Sequence, residues 1–213
     1  MKDVVLLGDS IFDNGVYVPG GPAVITQLVQ QLPAGWTASL LAVDGDVTRD
    51  VVRQLEQLPA AATHLVVSVG GNDALGQSGI FQQPVSSAAE VFAAMADIQH
   101  DFHHDYTRML SAVLQQGKPT MVCTVYDQVP FADPQLGRLA RAALPLFNDV
   151  ILQVAIRNRL PVLDLRQICV QPGDFSVMSP IEPSEAGGAK IAAALARAVT
   201  THDFHAATVV YGA

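Results

Sequence analysis

The chain has 213 residues, a net charge of −8, and a composition that is 50% hydrophobic and only 15% charged. That combination fits one folded domain spanning 1–213 with a full core, and it excludes a disordered chain. The acidic balance excludes a nucleic-acid binder, which needs a basic footprint, and leaves neutral or cationic small molecules as ligands.

The first element is Val4-Val5-Leu6-Leu7, an apolar run of strand type that ends abruptly in Gly8-Asp9-Ser10-Ile11-Phe12-Asp13-Asn14. A short buried strand running into Gly-Asp-Ser places a hydroxyl at the carboxyl edge of a sheet, where open α/β folds keep their ligands. After the turn cluster Pro19-Gly20-Gly21-Pro22, Val24, Ile25, Leu28, Val29 and Leu32 recur at helical spacing. Thr37 to Val43 reads as a second strand and runs into Asp44-Gly45-Asp46. Val51, Val52, Leu55 and Leu58 mark a second helix closed near Pro59. Leu65 to Val69 is the most β-like run, and it empties into Gly70-Gly71-Asn72-Asp73.

Ser87-Ala88-Ala89-Glu90 has the form of a capping box. It opens a long helix with Phe92, Met95, Phe102, Tyr106, Met109 and Val113 on one face, stopped by Gly117 and Pro119. Thr120 to Val125 is the fourth strand. Asp133-Pro134 then gives an N-cap with proline at the first helical position, and Pro145 predicts a kink or break in that helix. Val162 to Leu165 is the fifth strand, and Pro183-Ser184-Glu185 starts a last Ala-rich helix reaching about Val199. The apolar run Thr208 to Tyr211 takes no assignment. Strands alternating with helices predict a five-stranded parallel sheet covered on both faces.

No apolar run reaches the length of a membrane span. The amino terminus carries no signal-peptide core, because a strand begins at once, so a cytoplasmic location is expected. Cys123 and Cys169 read as two reduced thiols, without the spacing of a zinc site.

Three loops leave the same edge of such a sheet: Gly8-Asp9-Ser10, Asp44-Gly45-Asp46 and Gly70-Gly71-Asn72-Asp73. A serine hydroxyl there is a candidate nucleophile. A glycine N–H approaches a substrate oxygen with no side chain in the way, and the Asn72 amide is a second donor. Together they are the parts of an acyl-transfer site with an oxyanion hole. Gly71 and Asp9 flank it as substrate-side residues. Singly, each part has a plainer reading, as a turn serine or a turn glycine.

In these loops the chain resembles the SGNH hydrolases, also called GDSL-type esterases, from the first strand to the last helix. Ser10 matches their nucleophile, Gly45 their oxyanion glycine and Asn72 their oxyanion asparagine. The resemblance implies a flavodoxin-like three-layer α/β/α fold. It also implies hydrolysis of small-molecule esters or related acyl bonds with no cofactor and no metal.

One block departs from the pattern. The family's last block carries an Asp, two residues, then a His. Here Pro183-Ser184-Glu185-Ala186-Gly187 resembles the opening of the helix that follows it, which puts Glu182 at the histidine position and Ser179 at the aspartate position. A solvated Glu has a pKa near about 4.3 and is a poor base, whereas a buried one has a higher pKa. The plain alternative for Glu182 is an acid favoured by a helix N-terminus. His100, His103 and His104 lie on the long helix, His64 precedes the third strand, and His202 and His205 belong to the tail. None is placed by its position to replace the missing base. Asp174 reads as a turn residue, and Asp13 and Asp73 as loop acids.

Two functions compete on this sequence. One is an ester hydrolase with Ser10 as nucleophile and Glu182 as base. The other is a small-molecule binding protein that keeps the pocket without turnover. A nucleotide-binding flavodoxin-like domain fits less well, since Gly8-Asp9-Ser10 lacks the glycine spacing of a phosphate loop. Substrate identity and oligomeric state are not encoded in these patterns.

Overall fold

The computed structural model describes residues 1–212. Its six strands form one parallel sheet: β1 (Lys2–Gly8), β2 (Trp36–Leu40), β3 (Ala62–Ser68), β4 (Thr120–Cys123), β5 (Val162–Leu163) and β6 (Val210–Tyr211), in the order β2-β1-β3-β4-β5-β6. The first five follow the flavodoxin-like order. The sixth strand corrects the expectation of five. Two residues are too short to show a period, and β6 exists because the backbone of β5 supplies partners. Val162 N donates to Val209 O and Asp164 N to Tyr211 O.

The central strands are buried on both faces, which is why they read as unbroken apolar runs. Val4 and Leu6 of β1 join one core with helices α1 (Val24–Gln31) and α7 (Glu185–Thr201). Val5 and Leu7 point the other way, into a second core with helices α4 (Ala88–Leu114) and α5 (Pro134–Arg157). The short helices α2 (Val51–Gln54), α3 (Gly71–Gly76) and α6 (Leu165–Ile168) complete the connections. The result is the three-layer α/β/α arrangement.

Local signals set most helix starts. Ser87 Oγ accepts from Glu90 N, Asp133 accepts from Gln135 N and Ser184 Oγ accepts from Gly187 N. The expectation for the second helix, and that of a break at Pro145, are corrected. The second helix is broken into 3₁₀, α and 3₁₀ turns over 48–57, so its apolar period overstates its length. Helix α5 runs through Pro145 without a break.

Helix length decides what lies above the sheet. At 27 residues α4 is about 40 Å long, while the seven-residue β1 spans about 23 Å. In parallel connections each helix starts at the carboxyl edge of the strands. The excess length of α4 and α5 therefore overhangs that edge. The buried residues of α4 begin at Phe102 and those of α5 at Phe147. Phe92, expected on the core face, is 70% exposed because it sits on the overhang. By length and composition alone α5 could cross a membrane, a possibility that single apolar runs do not reveal. Its C-terminal half, with Val150, Ile151 and Val154, is packed into the core.

Candidate active site

The Ser10 loop begins at a glycine that no other residue can replace. Gly8 has φ +128°, and a Cβ there would overlap the Ser68 carbonyl of β3. Gln54 pins the same residue from α2. Its Oε1 accepts from Gly8 N at 2.8 Å and its Nε2 donates to Gly8 O at 2.7 Å. The chain then turns around Asp9, whose backbone oxygen accepts from Phe12 N and Asp13 N and whose Oδ1 accepts from Ile11 N. Ser10 sits at the head of this turn, 6% exposed.

The Glu182 loop reaches the same place from the far end of the chain. Ser176 N donates to Glu182 O, and Ser184 N to Asp174 O. Tyr126 donates its hydroxyl to Ile181 O at 2.6 Å. Asn14, fully buried, joins the two loops. Its Nδ2 donates to Pro183 O at 3.1 Å while its Oδ1 accepts from Val24 N at 2.9 Å. Asp174 is a buried ion-pair partner of Lys190, at 2.6 Å, rather than a plain turn residue. Burial alone would raise its pKa, but Lys190 and the N–H groups of Gln171 and Val170 outweigh burial and hold it low. Gly187 lies so close to the Asp174 carbonyl that a side chain there would overlap it.

These supports bring Glu182 to Ser10. Glu182 Oε1 accepts from Ser10 Oγ at 3.5 Å, with Glu182 only 4% exposed. The bond is long, as such contacts often are before a substrate binds. Its other oxygen, Oε2, is buried without a hydrogen-bond partner. Burial pushes the Glu182 carboxyl above its ordinary range, and Asp44 adds to this, while the hydroxyls of Ser179 and Ser10 pull it back. Ser179 is near enough to act on the charge but makes no well-formed bond to Oε2.

A second carboxyl lies beside it. Asp9 is buried, and desolvation pushes its pKa up to about 7; the Ile11 N–H opposes this and the charges of Asp73 and Glu182 add to it. Asp73 is also raised by burial, although Thr48 donates to it through both its N–H and its hydroxyl at 2.9 Å.

Of the expected oxyanion donors, Asn72 lines the cavity beside Ser10, and its Nδ2 donates to Asp46 O at 3.0 Å. An amide nitrogen has two hydrogens, so one remains. Asp46 is itself held by Gln54 Nε2 at 2.8 Å and by Arg53 at 3.2 Å. Gly71 also lines the cavity, with Asp9 Oδ2 facing it. Gly45 is exposed on the loop after β2, outside that lining.

The cavity itself is about 860 Å³ and runs from Asp9, Ser10 and Glu182 out between the overhanging halves of α4 and α5. Sequence reasoning did not find it, nor the supporting roles of Asn14, Gln54 and Tyr126. Gln54 stands among Arg53, Glu56 and Gln57, so nothing local marks it as buried.

The histidines lie elsewhere. His64 and His202 sit at the amino edge of the sheet, among Trp36, Phe204 and Tyr211. His100 and His104 are exposed on α4. Among the described residues, no three His, Cys, Asp or Glu side chains are grouped as metal ligands. Cys123 and Cys169 are buried free thiols.

The model of the GDSL-like Lipase/Acylhydrolase family matches residues 6–190. Among solved structures, the lipase Lip_vut3 from a goat rumen metagenome superposes with a TM-score of 0.70 at 16% identity, covering 96% of this chain and 99% of that one. The native aryl esterase of M. smegmatis gives 0.65 at 14% identity, covering 94% and 99%. An extracellular lipase from Streptomyces rimosus gives 0.65 at 17% identity, covering 89% and 96%. These likenesses are in fold. No curated protein sequence matches the chain. With its fold, its three edge loops and a family match over most of its length, the chain belongs to the GDSL-like lipase/acylhydrolase family.

Proposed function

We propose that the protein hydrolyses small-molecule esters through Ser10, with Glu182 as the base. The observation that carries this reading is the buried Ser10–Glu182 contact at 3.5 Å. In the mechanism, Ser10 Oγ attacks the ester carbonyl while Glu182 Oε1 takes its proton. The carbonyl oxygen becomes an oxyanion, met by the free N–H of Asn72, while Gly45, the other expected donor, stands outside the cavity lining. Collapse breaks the bond to the alcohol oxygen, which leaves with the proton held by Glu182. Water then attacks the acyl-serine, gives its proton to Glu182, and releases the acid as Ser10 recovers its hydrogen.

Burial supports Glu182 in this role. A carboxyl held above its usual range is a stronger base than a solvated one. The unpartnered Oε2 lacks the orienting hydrogen bond that the Asp of a His–Asp pair would supply. Labelling of Ser10 by a fluorophosphonate, and loss of p-nitrophenyl ester cleavage in Ser10→Ala, are the expected results. A protein that neither labels nor cleaves between acidic and alkaline pH is not this hydrolase.

The second reading, a binding protein without turnover, is favoured by one observation: Ser179 and Glu182 stand where the family carries Asp and His. It predicts a large gain of esterase activity in the double variant Ser179→Asp with Glu182→His.

A further inference from the structure

Solved structures that share the fold are described as an aryl esterase, an acetyl xylan esterase and a phospholipase A1, so the fold alone does not choose an acyl group. The overhang of α4 and α5 does. We propose that the cavity between these helix halves holds the acyl chain of the substrate, and that this chain is linear, uncharged and at least medium in length. This rests on the hydrolase reading for the bond that is cut, but not for the binding of the chain.

Asp9, Ser10, Asn72 and Glu182 line the cavity at the Ser10 loop, and Gln77, Gln82, Gln83 and Glu90 add polar groups elsewhere in its wall. The apolar part of its wall is aliphatic and aromatic, including Ile80, Phe81, Met95, Ile98, Ala143 and Phe147. Its volume of about 860 Å³ lies toward the upper end of ordinary ligand pockets, far more than an acetyl group fills. No Lys, Arg or His lines it, and the charged groups that do, Asp9, Glu90 and Glu182, are all acids. An anionic chain would meet repulsion and no counter-ion; an alkyl chain loses only its contact with water.

Direction follows from the proton. Glu182 protonates the leaving oxygen, so the alcohol lies on the Glu182 side, where Val177 and Met178 are exposed to solvent. Gly71 and Asn72, on the oxyanion side of Ser10, line the same cavity as the overhanging helices. The chain on the acyl side therefore enters the cavity.

The test uses two ester series and one binding assay on the intact protein. With p-nitrophenyl acetate, butyrate, octanoate and decanoate, kcat/KM is expected to rise by about fourfold per added methylene until the cavity is full. With ethyl, hexyl and octyl acetate it is expected to stay flat. A preference for long alkyl acetates over long acyl esters, or acetate as the best acyl group, overturns the proposal. Ala143→Phe is expected to lower the octanoate-to-acetate ratio by roughly tenfold or more. If that variant does not fold, Leu139→Asp, at a rim position 37% exposed, reads the same ratio.

Nile red bound to Ser10→Ala, and displaced by 1-decanol, reports the cavity without turnover. Displacement with no ester cleaved at any length sinks the hydrolase reading and keeps the chain-binding proposal. Cleavage of acetate with no Nile red binding does the reverse.

Discussion

The two edges of the sheet use their polar residues in opposite ways. At the amino edge, His64 and His202 are packed among aromatic rings, with Trp36 and Phe204 about 5 Å from their centroids. Burial lowers the pKa of both, so they are held as neutral packing groups. At the carboxyl edge, by contrast, burial falls on carboxyls: Asp9, Asp73 and Glu182 are all raised. The chain thus places its imidazoles where proton transfer is useless and carboxyls where it is needed. On the proposed reading, a base at Ser10 is made by desolvating an acid, not by supplying a histidine.

The largest effect is expected at Glu182. Glu182→Gln keeps the shape but loses the base, and kcat is expected to fall by roughly a hundred- to ten-thousandfold at every pH. Unchanged ester cleavage would remove Glu182 from the chemistry.

The pH profile comes next. The base form of Glu182 exists above its raised pKa and is lost as pH falls through it. The acid limb of kcat/KM should therefore lie above the ordinary Glu value of about 4.3. The Glu182 charge helps raise Asp9 to about 7, so Asp9 keeps its proton through the acid limb, and Asp9→Asn should leave that limb in place.

Asp9 also bears on stability, with a definite sign. Its folded pKa of about 7 exceeds its unfolded value, so the folded state binds the proton more tightly. The associated stability is present below the unfolded pKa and is lost as pH rises through about 7. Melting temperatures should show Asp9→Asn gaining more over the wild type at pH 8 than at pH 4.5. An equal gain at both would mean that Asp9 is not a buried neutral acid.

How much of this was readable in the chain varies with range. Val4 to Leu7, the capping residues Ser87, Asp133 and Ser184, and the Gly-Asp-Ser loop are local patterns, and each has the place its pattern implies. What escaped depends on partners distant in sequence. Asn14 looks like a turn residue until Pro183, 169 positions away, accepts its amide. The cavity escaped because its walls use the same residue types as a core. Only the mismatch between helix length and strand length separates Met95, over the edge, from Met109, inside.

Asn14 offers a smaller test. Asn14→Ala leaves the Pro183 carbonyl and the Val24 N–H unpaired, with an expected loss of about 1–3 kcal/mol per buried group in denaturant unfolding. Because it ties the two loops, kcat should fall along with stability. The smallest effect is expected at the amino edge. His202→Phe loses one bond to the Tyr211 hydroxyl at 2.9 Å, and removes a buried Nε2 that has no partner. Its stability change should stay within about 1.5 kcal/mol, with kcat/KM unaltered. A His202 variant that folds but loses activity would overturn the contrast between the edges.

The overhang of α4 and α5 has a consequence for motion as well as for binding. Each helix is anchored along one half and loosely supported along the other, so the free energy of local opening must fall along its length. Amides of 102–114 and 147–157 should exchange with solvent deuterium slowly, and those of 88–101 and 134–146 much faster. Such a gradient lets the cavity walls part at their free ends while the sheet and the Ser10 loop stay closed. Entry of a long chain then requires only the fraying of two helix ends, with no separate lid.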